Sequence, residues 1–263
     1  MYEHTLEIDT ERGRLAAVLH LPCSRMGRPP LVVYCPGKNG ERSDSHRLGV
    51  SFARSAAAQG VAVMRFDYYG MGLSDGEYHQ MTVSTKVSDT VDVCRYVEGL
   101  TDVEFGSTAL LGFSDGARTA LLAANRIGVS RLILWSPLFQ EWGGDYPLGR
   151  RPRFMRHPAD EDALVLPWAG LWVGMPFYKE LQCLDMKEHI RRYKGTSIMI
   201  YGDDDPLVAE ERERLNTSDL SIYSGSRTHK VHAMEEAGHL FASVELGERL
   251  IEHTIRWLCD GKY

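Results

Sequence analysis

Three polar residue types, in the order serine, aspartate, histidine, give this 263-residue sequence the means for nucleophilic catalysis. Ser114 stands at the centre of a Gly-x-Ser-x-Gly pattern that spans residues 112–116. Three consecutive aspartates follow at 203–205, and His239 comes later still, directly after a glycine. A serine hydroxyl is a poor nucleophile until a neighbouring base takes its proton, and a third group must orient that base. The order therefore predicts acyl transfer through a covalent intermediate.

The surroundings of Ser114 predict a sharp turn between a strand and a helix. An apolar run at 108–111 precedes the motif, and a helix-forming run at 117–124 follows it. The flanking glycines are then needed, because a side chain there would collide where strand and helix converge. The hydroxyl would stand at a helix N-terminus, where free N–H groups favour a developing negative charge. The alternative is a tight turn that uses small residues without any catalytic role.

The sequence distinguishes the histidine candidates better than the aspartate candidates. Sequence chemistry alone leaves all three aspartates at 203–205 open as the partner of the base. His229 and His232 fall in a segment of alternating type and are predicted to be exposed strand positions, and His253 falls inside the last predicted helix. Only His239 lies in a glycine turn after a strand, which makes it the predicted base.

Strands alternate with helices along most of the chain, which predicts an α/β fold with a mostly parallel sheet and helices on both faces. The first two strands, at 3–9 and 14–20, are predicted to form a hairpin. Further strands are predicted at 31–35, 61–67, 108–111, 131–135, 197–201 and 229–234, and helices at 46–58, 85–100, 117–124, 207–216 and 242–259. The serine, the aspartates and the histidine then all follow strand ends, at the edge where open parallel sheets bind ligands.

The alternation breaks at residues 137–192, which are predicted to form an inserted cap on a core made of 1–136 and 193–263. This stretch is rich in proline, glycine and aromatic side chains, and long loops inside a domain are usually functional. Short helices are predicted at about 160–173 and 178–192. The aromatic residues predicted to contact a substrate are Phe139, Trp142, Trp168 and Trp172. The alternative is that these aromatics only attach the insertion to the core.

Composition and charge argue against several classes of protein. A formal net charge of −6 gives no sign of a nucleic-acid-binding surface. Five scattered cysteines without a C-x-x-C pair argue against a disulfide framework and a zinc site, and fit a reducing compartment. No apolar run reaches membrane-spanning length and no signal-peptide pattern occurs, so a cytoplasmic location is predicted. Neither a metal-binding spacing nor a complete dinucleotide fingerprint occurs, so no metal and no cofactor are expected.

The serine motif, the acid turn at 202–208 and the histidine turn at 237–241 together resemble the α/β-hydrolase superfamily. The resemblance extends from about residue 15 to residue 258 and implies the α/β-hydrolase fold, with a mostly parallel central sheet and an inserted cap. The stretch 66–76 is most similar to that of bacterial feruloyl or cinnamoyl esterases and serine aminopeptidase-like hydrolases.

The resemblance also assigns roles to single residues. Ser114 would be the nucleophile, and His239 the general base and then the general acid. The family's Gly-x-x-Asp register selects Asp205 as the carboxylate that orients the histidine. The two preceding aspartates are expected to cap the helix that follows.

Two backbone N–H groups, those of Asp115 and Lys38, are expected to form the oxyanion hole. Lys38 belongs to Pro36-Gly37-Lys38, where the family usually has His-Gly-x. Its ammonium would favour an acidic substrate group if it faced the site, although exposure to solvent is the default for lysine. A carboxylate beside a developing oxyanion is unusual, and Arg118, three residues on, is the expected partner of Asp115.

The predicted activity is that of a serine carboxylesterase that cleaves an ester with an apolar or aromatic acyl group through an acyl-enzyme. The alternatives are a thioesterase or acyltransferase, an aminopeptidase with the same triad, and a non-hydrolytic scaffold that binds a ligand. The expected partner is a small-molecule ester or thioester, with no nucleic acid and no membrane. The oligomeric state is left open, with a homodimer among the alternatives.

Overall fold

The computed structural model describes residues 1–23, 28–38, 41–100, 104–140, 153–168 and 170–260. Its strands are β1 (Tyr2–Thr10), β2 (Gly13–Leu21), β3 (Pro30–Cys35), β4 (Ala62–Phe66), β5 (Glu104–Phe113), β6 (Arg131–Trp135), β7 (Met155–Arg156), β8 (Leu164–Trp168), β9 (Leu171–Gly174), β10 (Thr196–Gly202) and β11 (His229–Met234). Its α-helices are α1 (Leu48–Ala58), α2 (Val83–Glu98), α3 (Gly116–Ile127), α4 (Met175–Cys183), α5 (Met186–Arg192), α6 (Pro206–Leu215) and α7 (Val244–Asp260). None of the helices in these ranges is long and apolar enough to cross a bilayer.

The main sheet has eight strands in the order β1-β2-β4-β3-β5-β6-β10-β11. β1 pairs with β2 and β2 with β4 in the antiparallel sense, whereas all the other neighbours are parallel. The predicted hairpin and the predicted, mostly parallel sheet are confirmed. Because β3, β4, β5, β6, β10 and β11 run the same way, the loops that follow them meet at one edge of the sheet.

Helices cover both faces of this sheet, and β3 shows how the sequence divides its side chains between them. Val32 and Tyr34 join the apolar cluster that includes α1 and α7. Leu31, Val33 and Cys35 point the other way, into the larger cluster that includes α2 and α3. A strand buried on both faces needs the continuous apolar run that this one has.

The predicted helix at 160–173 is wrong, because β8 and β9 form an antiparallel hairpin there with Trp168 paired to Leu171. β7 pairs with the outer side of β8 to complete a small separate sheet. Pro167 lacks the N–H that a helix interior needs, and Gly170 has a φ of +81° in the connection between the strands. Both residues favour a hairpin over a continuous helix.

The predicted helix at 178–192 is divided into α4 and α5. Asp185 lies between them, and its carboxylate accepts a hydrogen bond from the backbone N–H of Glu188 at 3.0 Å. An aspartate in this position begins a new helix. Part of the predicted cap at 137–192 lies outside the described residues, and its boundaries remain a prediction.

The small sheet packs against the short 3₁₀ helix Tyr78–Gln80, which precedes α2. The rings of His79 and His157 stack with their centroids 4.4 Å apart, and His79 Nε2 lies 3.2 Å from Asp160 Oδ2. A Cβ atom at Gly174 would lie 2.1 Å from the carbonyl oxygen of His79, so only glycine fits this approach. The 3₁₀ helix thereby joins the small sheet to the main one.

Candidate active site

Ser114 lies on a sharp turn between β5 and α3. Its φ is +53°, in the left-handed region that residues with a side chain rarely adopt. The backbone N–H of Ser114 donates to the carbonyl of Trp135 at 2.8 Å, and its own carbonyl accepts from Ala117 at 3.0 Å and from Leu138 at 3.1 Å. Such strain persists only where the surroundings hold it, and it is typical of functional positions.

The two glycines of the motif are required by close packing. A Cβ atom at Gly112 would lie 2.4 Å from the carbonyl oxygen of Gly116 and 2.5 Å from the Cα atom of Ala117. A Cβ atom at Gly116 would lie 2.1 Å from the carbonyl oxygen of Cys35 and 2.6 Å from that of Pro36. The first glycine lets helix and strand converge, and the second lets the loop after β3 pass directly over the turn.

The three predicted catalytic side chains form one chain of hydrogen bonds. His239 Nε2 lies 2.9 Å from Ser114 Oγ, and His239 Nδ1 lies 2.7 Å from Asp205 Oδ2. The Asp205 side chain is fully buried, and that of His239 is 15% exposed. If Nδ1 carries the ring proton and donates it to the carboxylate, Nε2 is free to accept the serine proton. This arrangement can generate a nucleophilic alkoxide and stabilise the imidazolium that results.

Asp205 is also the N-cap residue of α6, and its two carboxylate oxygens have different partners. Oδ1 accepts the backbone N–H groups of Leu207 at 2.9 Å and Val208 at 3.2 Å, as an N-cap does, while Oδ2 faces His239. The helix N-terminus stabilises the negative charge. The carboxylate is therefore held in one orientation when it contacts the imidazole.

The expectation that Asp203 and Asp204 cap this helix is wrong. Asp203 Oδ1 accepts the backbone N–H of Glu236 at 2.9 Å, and Asp204 Oδ1 accepts that of Gly238 at 2.7 Å. Both therefore hold the loop that carries His239. Helix capping needs only one side chain at the N-cap position, and Asp205 already supplies it.

The histidine turn packs tightly on the end of β10 and on the strand that carries the serine. A Cβ atom at Gly202 would lie 2.5 Å from both the nitrogen and the oxygen of Gly238, so the two turns touch through their backbones. The ring of Phe113 stacks on the imidazole of His239 with a centroid distance of 5.9 Å and an angle of 26°. These contacts restrict the imidazole to the face of the sheet edge where Ser114 lies.

The loop after β3 lies directly beside the serine turn. A Cβ atom at Gly37 would be 3.4 Å from the carbonyl oxygen of Phe113 and 3.7 Å from the Cβ of Ser114. The N–H of Gly37 donates to Asp44 Oδ2 at 3.3 Å. This placement is compatible with the backbone N–H of Lys38 as an oxyanion donor, together with that of Asp115 at the start of α3.

The side chain of Lys38 is buried rather than directed into solvent. The residue is 4% exposed, and its Nζ lies 4.2 Å from the ring centroid of Trp168 and 5.5 Å from that of Phe177. An ammonium over an aromatic face is attracted by the negative face of the ring. One aromatic residue predicted to contact the substrate thus contacts the lysine of the loop after β3.

The carboxylate of Asp115 is neutralised by two buried cations. Arg118 lies 2.6 Å from Asp115 Oδ1, and the ammonium of Lys86 contacts Oδ2. Burial alone would raise the pKa of Asp115, but Arg118 and Lys86 outweigh burial and lower the pKa to about 2. The side chain is therefore ionised, and its negative charge is compensated by the two cations.

The predicted substrate contacts have different surroundings. Phe139 is fully buried in the core, where it packs edge-to-face on Tyr223. Trp168 and Trp172 are partly exposed in the hairpin. The ring centroids of Trp172 and His157 lie 5.9 Å apart. Trp142 lies outside the described residues. The structure therefore places Phe139 in the core and leaves the two described tryptophans as the accessible aromatic residues of this set.

Two buried residues beside the site, Tyr78 and Lys86, were not identified from the sequence. Lys86 shares a helix face with Val83 and Thr90, at spacings of three and four, and this periodicity could have indicated a buried lysine. The Tyr78 hydroxyl donates to the carbonyl oxygen of Lys38 at 2.9 Å. No pattern in the sequence distinguishes Tyr78 from the other tyrosines.

The other histidine candidates are remote from Ser114 in their contacts. The expectation that His229 is exposed is wrong: the residue is 8% exposed, and its Nδ1 lies 3.0 Å from the hydroxyl of Ser197. His232 packs on His253 with ring centroids 4.0 Å apart. Within the described ranges, no group of three His, Cys, Asp or Glu side chains could hold a metal ion.

Comparisons with known proteins find a matching family model and several solved structures with a similar fold. A family model described as "Alpha/beta hydrolase family" matches residues 32–252. A structure of Est1E from Butyrivibrio proteoclasticus with ferulic acid bound has a TM-score of 0.78 at 21% identity, over 97% of this chain and 99% of that one. No curated protein matches the chain.

Two further solved structures have the same fold. The alpha/beta hydrolase GrgF from Penicillium sp. sh18 has a TM-score of 0.76 at 15% identity, over 99% of each chain. The esterase domain of a Rhodothermus marinus protein has a TM-score of 0.72 at 18% identity, over 98% of each chain. At such identities these likenesses establish the architecture.

Proposed function

We propose that this chain, which belongs to the alpha/beta hydrolase family, is a serine hydrolase that cleaves a carboxylic ester through an acyl-enzyme. One observation carries the proposal: the unbroken chain of hydrogen bonds from Asp205 through His239 to Ser114, with the serine on a strained turn. A serine held only for structural reasons would not need an imidazole nitrogen within 2.9 Å of its hydroxyl.

In the first half of the proposed reaction, Ser114 Oγ attacks the ester carbonyl carbon and its proton passes to His239 Nε2. The carbonyl π electrons move to the oxygen, which accepts hydrogen bonds from the N–H groups of Asp115 and Lys38. Each such donor lowers the barrier by about 3–4 kcal/mol in comparable enzymes. The tetrahedral intermediate then collapses, the bond to the alcohol oxygen breaks, and the imidazolium of His239 protonates the leaving alcohol.

In the second half, water replaces the alcohol. His239 takes a proton from the water, whose oxygen attacks the acyl carbon, and a second oxyanion forms in the same position. Collapse releases the carboxylic acid, and the proton on His239 returns to Ser114 Oγ. Asp205 remains ionised throughout and stabilises each imidazolium.

Several features support an apolar or aromatic acyl group as the substrate preference. Trp168 is partly exposed and lies over the ammonium of Lys38, and Trp172 is partly exposed in the same hairpin. The structurally similar Est1E has been solved with ferulic acid bound. A thioester or an aminoacyl amide would use the same three side chains, so a thioesterase, acyltransferase or aminopeptidase is the alternative for the leaving group.

Hydrolysis of p-nitrophenyl acetate and butyrate by the wild type and by Ser114→Ala tests the proposal. We expect the substitution to lower kcat by at least about 1,000-fold, because a triad without its nucleophile retains little activity. Ser136→Ala is the matched control, since Ser136 is a buried serine with positive φ at the end of the adjacent strand β6. It should leave kcat within about twofold.

Equal turnover by the wild type and Ser114→Ala would exclude the serine mechanism and favour a non-hydrolytic scaffold. A fluorophosphonate probe should label the wild type on the peptide that contains Ser114, and should not label the alanine variant. Relative turnover of aryl esters, alkyl esters, acyl thioesters and aminoacyl amides would then distinguish the esterase from the other acyl-transfer activities.

A further inference from the structure

Hydrogen bonds hold the backbone on both sides of the Lys38 N–H. On the side after it, the buried hydroxyl of Tyr78 donates to the carbonyl oxygen of Lys38 at 2.9 Å. On the side before it, the N–H of Gly37 donates to Asp44 Oδ2 at 3.3 Å, and the hydroxyl of Tyr34 donates to the same oxygen at 2.9 Å. The Lys38 N–H therefore lies between an anchored N–H at Gly37 and an anchored carbonyl at Lys38.

The orientation of the Gly37–Lys38 peptide sets the direction in which the Lys38 N–H points. A hydrogen bond weakens steeply as its angle departs from linearity, so a donor must point at the oxygen before the charge develops. The Gly37–Lys38 peptide can rotate only if its neighbours move, because rotation about one peptide displaces the groups on either side. Glycine at 37 has no side chain to hinder such rotation, so restraint has to come from elsewhere.

We propose that Tyr78 is a positioning residue for the oxyanion hole, and that it acts through the carbonyl of Lys38; the inference rests on the proposed esterase function. Tyr78 acts on the backbone of this loop. Its hydroxyl fixes the peptide after Lys38 and thereby aims the N–H of Lys38 at the oxygen that becomes negative.

Tyr78 is itself anchored well enough to perform this role. It begins a 3₁₀ helix closed by a reciprocal capping box between Glu77 and Gln80, in which the N–H of Glu77 donates to Gln80 Oε1 at 2.9 Å. The tyrosine is 8% exposed and belongs to the large apolar cluster. A buried ring on a capped turn loses little freedom when its hydroxyl bonds to the loop.

The rings of Trp168 and Phe177 hold the other end of the same lysine. The β9 strand also packs on the helix that carries Tyr78, through the contact of Gly174 with the His79 carbonyl. The hairpin, the 3₁₀ helix and the oxyanion loop are therefore one packed unit. The loop geometry depends on contacts made outside the triad.

Tyr78→Phe removes only the hydroxyl and tests the proposal. We expect kcat for p-nitrophenyl acetate to fall between about 5-fold and 100-fold, since small misplacements of catalytic groups cost up to about 10²-fold. KM should stay within about twofold, because the acetyl group is too small to depend on the aromatic residues. The inhibition constant of benzeneboronic acid, whose adduct with serine is tetrahedral, should rise by a similar factor to the fall in kcat.

Tyr193→Phe is the matched control. The Tyr193 hydroxyl also donates from a buried ring to a backbone carbonyl, that of Thr196 at 3.0 Å, but away from Ser114. Both variants should lose a similar free energy of unfolding in urea, whereas only Tyr78→Phe should lose kcat. Expressing kcat per site labelled by a fluorophosphonate restricts the comparison to folded protein.

A kcat for Tyr78→Phe within twofold of wild type, or an equal loss in Tyr193→Phe, would overturn the inference and leave the esterase proposal intact. Absence of ester turnover by the wild type, or full activity in Ser114→Ala, would instead remove the proposed function and the inference with it. A loss confined to KM would also overturn the inference, because it would show that Tyr78 affects substrate binding and not the transition state.

Discussion

Replacing Asp115 with asparagine would leave two buried cations without their counter-charge. The side chains of Asp115, Lys86 and Arg118 are each 1% exposed. Asparagine has nearly the same volume as aspartate, so packing is kept while the negative charge is removed. The expected result is a marked loss of stability, because an unpaired buried ion costs far more than an exposed one.

The size of this loss follows from two independent considerations. Removing one partner of a buried ion pair typically costs about 3–5 kcal/mol. The two cations outweigh burial and lower the pKa of Asp115 from 3.8 to about 2. At about 1.4 kcal/mol for each unit of pKa, this favours the ionised folded state by roughly 2–3 kcal/mol. We therefore expect the free energy of unfolding of Asp115→Asn to fall by about 2–5 kcal/mol at pH 7.

The same pKa gives the pH dependence and its sign. Because the pKa is lower in the folded than in the unfolded chain, this stabilisation is fully present above about pH 4 and is lost as the pH falls through about 2. The asparagine side chain has no ionisable group in this pH range. The difference in unfolding free energy between wild type and variant should thus be constant above about pH 5 and smaller at pH 3.

Urea unfolding followed by tryptophan fluorescence at pH 7 and pH 3 measures both effects. Glu252→Gln is the control, because Glu252 pairs with Arg256 on the surface of α7, where the side chains are 66% and 58% exposed. An exposed pair contributes about 0.5 kcal/mol or less. A loss in Asp115→Asn no larger than that in the control, or a difference that does not shrink at pH 3, would refute the reasoning.

Two further substitutions test the turns at the site. Gly116→Ala places a methyl group 2.1 Å from the carbonyl oxygen of Cys35 and should lower the free energy of unfolding by about 3 kcal/mol or more, measured in urea. Asp204→Ala removes the acceptor of the Gly238 N–H, 2.7 Å away, and should lower kcat for p-nitrophenyl acetate by about 10-fold through a displaced His239. Its KM should change little.

Each of these substitutions has a matched control. Gly247→Ala lies in α7, where the nearest atom to an added Cβ is 3.9 Å away, so it should be neutral or slightly stabilising. Asp92→Ala removes a surface carboxylate on α2 and should leave kcat unchanged. An unfolding free energy for Gly116→Ala equal to that of Gly247→Ala would contradict the packing described for the serine turn. Unchanged kcat in Asp204→Ala would show that Asp204 does not position the histidine.

The parts of the site that the sequence predicted are those tied to backbone geometry. A glycine pattern between an apolar run and a helix-forming run has few solutions, and the turn at Ser114 is one of them. The order of the later strands also placed Asp205 and His239 at the same edge as the serine. These features depend on local chain stereochemistry and on parallel pairing, which short stretches of sequence specify.

The parts that the sequence did not predict depend on contacts between distant segments. Lys38 and Lys86 are buried because aromatic rings or a carboxylate elsewhere in the chain accompany their charge. Asp203 and Asp204 have the same side chain as Asp205, and only the position of the histidine turn determines which oxygen serves which N–H. The apolar spacing of the hairpin at β8 and β9 fits a helix as well as a strand pair, and proline and glycine decide between them.

The carbonyl of Lys38 accepts from Tyr78 and its ammonium lies over the rings of Trp168 and Phe177, while its N–H is the proposed oxyanion donor. Every amino acid except proline carries the backbone N–H and the carbonyl. Residue 38 can therefore be exchanged to alter the shape and charge beside the substrate while the backbone donor stays available. That makes it a suitable position for saturation mutagenesis aimed at new acyl-group preferences.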